Sequence, residues 1–158
     1  GPAAEAARQA RESGKGNDGI YCGAAIELRD GTIVTGTNSP LMHAASSLVL
    51  NAVKQLAGIP DPLHLLSPST IAAVAHLKQN VLASRSISLD LEETLIALTV
   101  GAATNPTAQM AMDHLKDLAG CEVHMTHVPT RGDEAGLRKL GVNLTTEAVM
   151  PTRNLLDE

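Results

Sequence analysis

Three dipeptides, Ser39-Pro40, Ser67-Pro68 and Asn105-Pro106, each stand where an apolar helical pattern begins. A Ser or Asn side chain accepts a hydrogen bond from the first turn of a helix. Proline suits the first helical position because the N–H that it lacks would be unpaired there. The pairs therefore predict three helices, with Ser39 and Asn105 as caps, over residues 41–57, 68–82 and 106–120.

Short segments typical of strands lie before, between and after these helices. Arg29-Asp30-Gly31 separates residues 21–28 from residues 32–37. Asp-Gly between two such segments indicates a hairpin, because glycine accepts the positive φ that a tight turn needs. Further strands are predicted over residues 63–66, 121–128 and 142–145.

Two acidic residues mark further helix starts. Asp90 with Glu93 three residues later resembles a capping box for a helix over residues 91–103. Asp133 is predicted to cap a short helix that ends at Leu140. We interpret these acids as stabilising the helix dipole rather than as a catalytic carboxylate pair.

Strands that alternate with helices predict an α/β fold of three layers with a mixed, mostly parallel sheet. The expected order is a β-hairpin followed by α-β-α-α-α-β-α-β. Residues 1–19 are predicted to form a helix and a Gly-rich hinge, residues 20–147 a single α/β domain, and residues 148–158 a C-terminal tail. The Gly14-Lys15-Gly16 run in the hinge lacks the flanking glycines and the following Ser/Thr of a phosphate loop.

Composition excludes several classes of partner. Twelve Lys and Arg against seventeen Asp and Glu give a net charge of −5, which argues against binding to a phosphate backbone. The single aromatic residue provides no base-stacking platform for nucleic acid. No apolar run approaches the length of a membrane span, and two cysteines are too few for a disulfide scaffold. We expect a cytoplasmic protein with no nucleic-acid or membrane partner.

The predicted order of hairpin, buried helix, short strand and Pro-initiated helix resembles the cytidine-deaminase-like fold. In the zinc enzymes of that fold, the first helix begins His-Ala-Glu and the second Pro-Cys-x-x-Cys, which supply the zinc ligands and the proton-transfer group. Here the matching segments are His43-Ala44-Ala45 and Pro68-Ser69-Thr70-Ile71-Ala72, so only the histidine is retained. The resemblance implies a degenerate core with no catalytic residues, no metal and no cofactor.

A second resemblance covers almost the whole chain. Its motifs are residues 14–25, 38–45, 88–95 and 124–127, and residues 132–141 (Gly-Asp-Glu-Ala-Gly-Leu-Arg-Lys-Leu-Gly). They resemble the C-terminal part of the bacterial family known as domain of unknown function 1846. Members of that family are longer, with a preceding α/β portion that includes a phosphate-loop-like segment. The resemblance implies an upstream partner domain and supplies no activity.

Candidate binding residues gather at the predicted start of the first long helix. Asn38, Ser39 and His43 would place small polar groups there, and a helix N-terminus favours anions. In α/β sheets, such junctions at the carboxyl ends of strands are where ligands bind. The alternative for His43 is a hydrogen-bonded histidine near a turn.

Three further candidates depend on the topology. Thr104 and Asn105 would join the site if their helix began at the same sheet edge as Ser39. His127 lies near the end of a predicted strand, whereas His124 has odd spacing from it and should face the opposite side. A metal site shared by these two histidines is therefore not expected.

Two functional hypotheses remain open. The first is an isolated, non-catalytic binding and assembly domain that self-associates, supports an upstream domain and accepts a small anionic ligand. The second is half of an enzyme active site for a nucleotide, phosphorylated or amine substrate, completed by the upstream phosphate-loop-like domain.

Overall fold

A computed structural model describes residues 1–150 and contains one four-stranded sheet in the order β2-β1-β3-β4. The strands are β1 (Gly23–Glu27), β2 (Ile33–Thr37), β3 (Glu122–Met125) and β4 (Asn143–Thr146). β1 is antiparallel to both of its neighbours, and only β3 and β4 are parallel. The mixed sheet is confirmed, but the expectation of mostly parallel pairing is wrong. Only the β3–β4 connection passes through a single crossover helix, which is the arrangement that gives parallel strands.

Six α-helices surround this sheet in the described part of the chain: α1 (Pro2–Glu12), α2 (Ala44–Ala57), α3 (Pro68–His76), α4 (Leu91–Ala102), α5 (Pro106–Met112) and α6 (Arg131–Leu140). The predicted helix over residues 68–82 continues past α3 as a π-helical turn, Leu77–Val81. The one over residues 106–120 breaks after α5 and resumes as a 3₁₀ turn, Leu115–Leu118. Most of the predicted tail, residues 151–158, lies outside the described residues.

The caps predicted at three helix starts are present in the structure. The Ser67 hydroxyl accepts the N–H of Thr70 at the start of α3. Asp90 accepts the N–H of Glu93, whose carboxylate accepts the N–H of Asp90 in return, which completes the capping box of α4. Asn105 caps α5 as expected.

Two other caps were predicted at the wrong residue. Ser39 and Met42 pair with each other across a tight turn, so α2 begins only after His43. The backbone around Met42 is held instead by Leu89, which pairs with it as a parallel bridge. In α6 the capping side chain is Thr130, whose hydroxyl accepts the N–H of Asp133, so Asp133 lies inside the first turn.

The predicted strand over residues 63–66 is absent from the described structure. Leu65 and Leu66 are buried in the core, but they reach it from irregular backbone that follows Pro60 and Pro62. The deaminase-like order requires a strand at this point, so that resemblance is not confirmed by the topology.

Two glycines show why α1 and α2 lie on opposite faces of the sheet. A Cβ on Gly23 would lie 1.9 Å from the carbonyl oxygen of Ala3 in α1, and one on Gly36 would lie 2.4 Å from the backbone N of Leu48 in α2. Gly36 is paired with Ala24 and therefore faces the side opposite to Gly23. The layers are thus α1, the sheet, and α2.

Candidate functional site

A cavity of about 710 Å³ lies beside the sheet, where β3 ends and α2 and α6 begin. Its wall includes Met125, the last residue of β3, and Ala44, the first residue of α2. Four of the six predicted binding residues line it, namely Asn38, Ser39, His43 and His127.

His43 stands immediately before α2, and its ring is fixed by Asp133. The backbone N–H of His43 donates to the carbonyl of Leu89 at 2.9 Å, and Nδ1 lies 2.8 Å from Oδ2 of Asp133. Only 15% of the His43 side chain is exposed. Because an ionised carboxylate only accepts hydrogen bonds, Nδ1 is the donor of this pair. Within residues 1–150, no protein atom bonds Nε2 of His43.

Asp133 joins the beginnings of three helices. Its Oδ2 pairs with His43 before α2, and its Oδ1 accepts the N–H of Leu91, the first residue of α4, at 2.9 Å. Its own backbone lies in the first turn of α6. A Cβ on the preceding residue, Gly132, would lie 2.0 Å from Oδ2 of Asp90, so the carboxylate that caps α4 would have to move.

The pKa values of the two cavity histidines are shifted in opposite directions. Burial opposes the charged form of His43, but the hydrogen bond and charge of Asp133 outweigh it, so the pKa of His43 is raised. Burial lowers the pKa of His127. Burial, together with the nearby Asp133 carboxylate, raises the pKa of the Cys22 thiol to about 12. Cys22 is therefore protonated at neutral pH and does not serve as a nucleophile.

A buried lysine ties the π-helical turn to the start of α4. Nζ of Lys78 donates to the carbonyl of Ser88 and to Oε1 of Glu93, both at 2.7 Å. The same Glu93 carboxylate completes the capping box of α4. Lys78 thereby fixes the segment before Leu89, which in turn holds His43.

His127 follows β3 and is held by its neighbour. Its Nδ1 lies 2.7 Å from Oγ1 of Thr126, and that oxygen accepts the N–H of Gly23 at 2.9 Å. His124 has a different setting, because its Nδ1 bonds Oγ1 of Thr145 on β4. Among the side chains of residues 1–150, no three His, Cys, Asp or Glu residues converge as ligands of one metal ion.

Asn38 and Ser39 shape the wall of the cavity. Oδ1 of Asn38 accepts the N–H of Cys22, and its Nδ2 donates to the carbonyl of Ile20. The Ser39 hydroxyl accepts the N–H of Leu41 at 3.3 Å. Both side chains therefore hold the backbone that borders the cavity.

Thr104 and Asn105 lie elsewhere. Oδ1 of Asn105 accepts the N–H groups of Thr107 and Ala108 at the start of α5, and Thr104 is exposed. Neither residue belongs to the described wall of the cavity, so the condition for a site shared with Ser39 is not met.

Sequence reasoning missed the roles of Asp133, Lys78 and Thr126. One local signal was available for Asp133, since Thr130 three residues earlier fits a capping residue and places Asp133 in the first turn. The partners of Asp133 lie 90 and 42 residues away in sequence, so no local pattern reveals them.

Fold and cavity together define a small α/β domain with a pocket beside its sheet. Over residues 1–156 the chain matches the family model described as domain of unknown function DUF1846, C-terminal, and it belongs to that family. No helix within residues 1–150 has both the length and the apolar character needed to cross a membrane.

Similar proteins carry the family name UPF0371. The chain is 45% identical over 154 residues to a UPF0371 protein of Clostridioides difficile strain 630, covering 98% of the chain and 30% of that protein. It is 47% identical over 131 residues to a UPF0371 protein of Fusobacterium nucleatum, covering 83% of the chain and 26% of that protein. The chain thus spans less than a third of these relatives.

Proposed function

We propose that this is a non-catalytic binding and assembly domain of a larger cytoplasmic protein, and that its cavity binds a small ligand bearing an oxyanion. The imidazole rings of His43 and His127 both line the cavity. Each ring is held at Nδ1, by Asp133 and by Thr126 respectively. Among the described residues, Nε2 of neither ring makes a hydrogen bond, so both Nε2 atoms are available to a ligand.

The size and charge of the cavity fit this role. A volume of about 710 Å³ falls in the range of small-molecule sites, about 300–1,000 Å³. The raised pKa of His43 favours its cationic form, which attracts an anion. The N-terminus of α2 adds roughly 0.3–1 kcal/mol where the site is exposed, so the domain alone should bind weakly.

A thermal melt with and without inorganic phosphate tests the binding proposal. At ten times the Kd, phosphate should stabilise the parent protein by about 1.4 kcal/mol, or roughly 3–6 °C in Tm. His43→Ala should lose this shift, while His64→Ala, which changes an exposed histidine outside the cavity, should keep it. A shift that is absent in the parent, or unchanged in His43→Ala, would remove His43 from a binding site.

Exposed apolar side chains support the assembly role. Five apolar residues on the π-helical turn, directly after it and on α4 are between 45% and 70% exposed: Leu77, Val81, Leu82, Ile96 and Val100. Apolar surface of this kind marks interaction sites when it is contiguous. We propose that a second copy of the chain covers it, with the upstream domain as the alternative cover.

Sedimentation of the parent and of Val81→Asp with Val100→Asp tests this. The parent should dimerise and the double variant should be a monomer, because each aspartate would have to be desolvated in the interface. Ile33→Asp, on β2, is the matched control and should dimerise. A parent that stays monomeric at high concentration would refute self-association.

One observation favours the alternative, half of an enzyme active site. A histidine oriented by a buried carboxylate through Nδ1 is the arrangement used for general acid–base catalysis. The remainder of a full-length relative would complete such a site for a nucleotide, phosphorylated or amine substrate. Turnover by a full-length relative that is lost on replacing its equivalent of His43, with binding retained, would favour the enzyme over the binding domain.

A further inference from the structure

The two cavity histidines differ in the partner of Nδ1. Nδ1 of His43 faces the carboxylate of Asp133, an obligate acceptor when ionised, so neutral His43 carries its hydrogen on Nδ1. Nδ1 of His127 faces the hydroxyl of Thr126. That oxygen also accepts the N–H of Gly23, and because a hydroxyl both donates and accepts, this contact leaves either ring nitrogen of neutral His127 free to carry the hydrogen.

The contact with Asp133 determines what His43 offers to a ligand. Neutral His43 presents a lone pair at Nε2, which repels an oxyanion. His43 becomes a donor at Nε2 only as the imidazolium.

We infer that an oxyanion enters this cavity together with one proton, which His43 takes up at Nε2. This inference rests on the proposed binding function and specifies its ligand chemistry and its regulation by pH. Asp133 is the positioning residue, since it fixes the hydrogen of neutral His43 on Nδ1 and stabilises the imidazolium.

The charged groups around His43 are compatible with this coupling. They are Asp133 on α6, Asp90 and Glu93 at the start of α4, and Lys78 on the π-helical turn. The other titratable residues on the cavity lining are Asp18, Cys22, Arg85 and His127. Lys78 is already paired with Glu93, which limits its repulsion of the imidazolium. The pKa of His43 is raised above its ordinary value, because the hydrogen bond and charge of Asp133 outweigh burial.

Sulfate is a suitable probe because it stays a dianion throughout the neutral pH range, so any proton taken up comes to the protein. Binding is followed by NMR titration of the His43 ring resonances, with the Kd measured at several pH values. Above the pKa of His43 in the free protein, sulfate affinity should fall about tenfold per pH unit, as linkage requires for one proton. Below that pKa the affinity should be constant.

Asp133→Asn isolates the cause of the coupling. The amide oxygen introduced by this substitution preserves the bond to the N–H of Leu91, while the new amide NH₂ donates to Nδ1 of His43. The hydrogen of neutral His43 then moves to Nε2, so sulfate binding should lose its pH dependence. Lys15→Ala changes a cation that lines the neighbouring cavity of about 950 Å³ and not this one, and it should keep the slope of the parent.

Each outcome bears on a different claim. Sulfate that never perturbs His43 at any pH refutes the proposed binding function. Sulfate that binds with equal affinity across the pH range leaves that function standing and overturns the proton coupling. An unchanged slope in Asp133→Asn overturns the role of Asp133. If that variant does not fold, the ring ¹⁵N shifts of the parent decide, since a neutral His43 with its hydrogen on Nε2 would contradict the inference.

Discussion

Replacing Asp133 with alanine should destabilise the junction of α2, α4 and α6. The Asp133 side chain is only 5% exposed and makes two bonds, at 2.8 Å to Nδ1 of His43 and at 2.9 Å to the N–H of Leu91. Removing one partner of a buried ion pair costs about 3–5 kcal/mol, and an orphaned buried N–H is part of that cost. We expect the free energy of unfolding to fall by about 3–5 kcal/mol, or Tm by roughly 6–20 °C.

The same pair predicts a pH dependence of stability. The pKa of His43 is raised above 6.5 in the folded protein, so its contribution is complete below pH 6.5 and is lost as pH rises through the folded-state pKa. In Asp133→Asn the attraction of Asp133 is absent, and burial, which is the largest influence, should lower the pKa of His43 against the weaker attraction of Asp90. The variant should then lose stability as pH falls below 6.5, which reverses the slope.

Urea unfolding followed by circular dichroism measures both effects, since the chain has no Trp. Asp117→Ala is a matched control, because Asp117 pairs with His114 at 2.9 Å but both side chains are 35% exposed. That pair should contribute about 0.2–1 kcal/mol. An Asp133→Ala protein whose stability and pH slope match those of the parent would refute the reasoning.

Three further predictions concern packing, reactivity and metal content. Gly23→Ala should destabilise the protein by about 1–3 kcal/mol and speed hydrogen exchange in α1, because its Cβ meets the Ala3 carbonyl; Gly101→Ala, in open space, should not. Unchanged exchange in α1 would contradict this packing. Cys22 and Cys121 are both buried and should react with a thiol reagent only as the protein unfolds, so immediate labelling of the native protein would contradict their burial. Elemental analysis of protein purified without chelator should find far less than one zinc per chain, because His43 stands alone where three ligands are needed; stoichiometric zinc would overturn the degenerate-core interpretation.

Much of the local structure was predictable because its causes lie within a few residues. The Asp30-Gly31 turn places Gly31 at φ +87°, and the Asp30 carboxylate accepts the N–H of Thr32. Ser67 and Asp90 cap their helices through bonds that span three residues. Such interactions are encoded by spacing alone, so the sequence identifies them.

The location of the candidate site was predictable from the sequence, but the hydrogen bonds that hold its side chains in place were not. Asn38, Ser39 and His43 are close in sequence, and the end of a strand places His127 at the same end of the sheet. The misplaced cap at Ser39 shows the limit, since Pro40 fits a turn as well as a helix start. Whether Pro40 lies in a turn or begins a helix depends on the bridge between Met42 and Leu89, which are distant in sequence.

The sequence by itself determined where most helices and strands form, because capping, turn formation and apolar periodicity are short-range effects. Only the tertiary structure decided the strand directions, the irregular path through Leu65 and Leu66, and the pairing of His43 with Asp133. These depend on which segments meet after the chain is packed. The buried carboxylate of Asp133 pairs with the His43 ring, 90 residues away in sequence, and this contact forms only when the starts of α2, α4 and α6 come together.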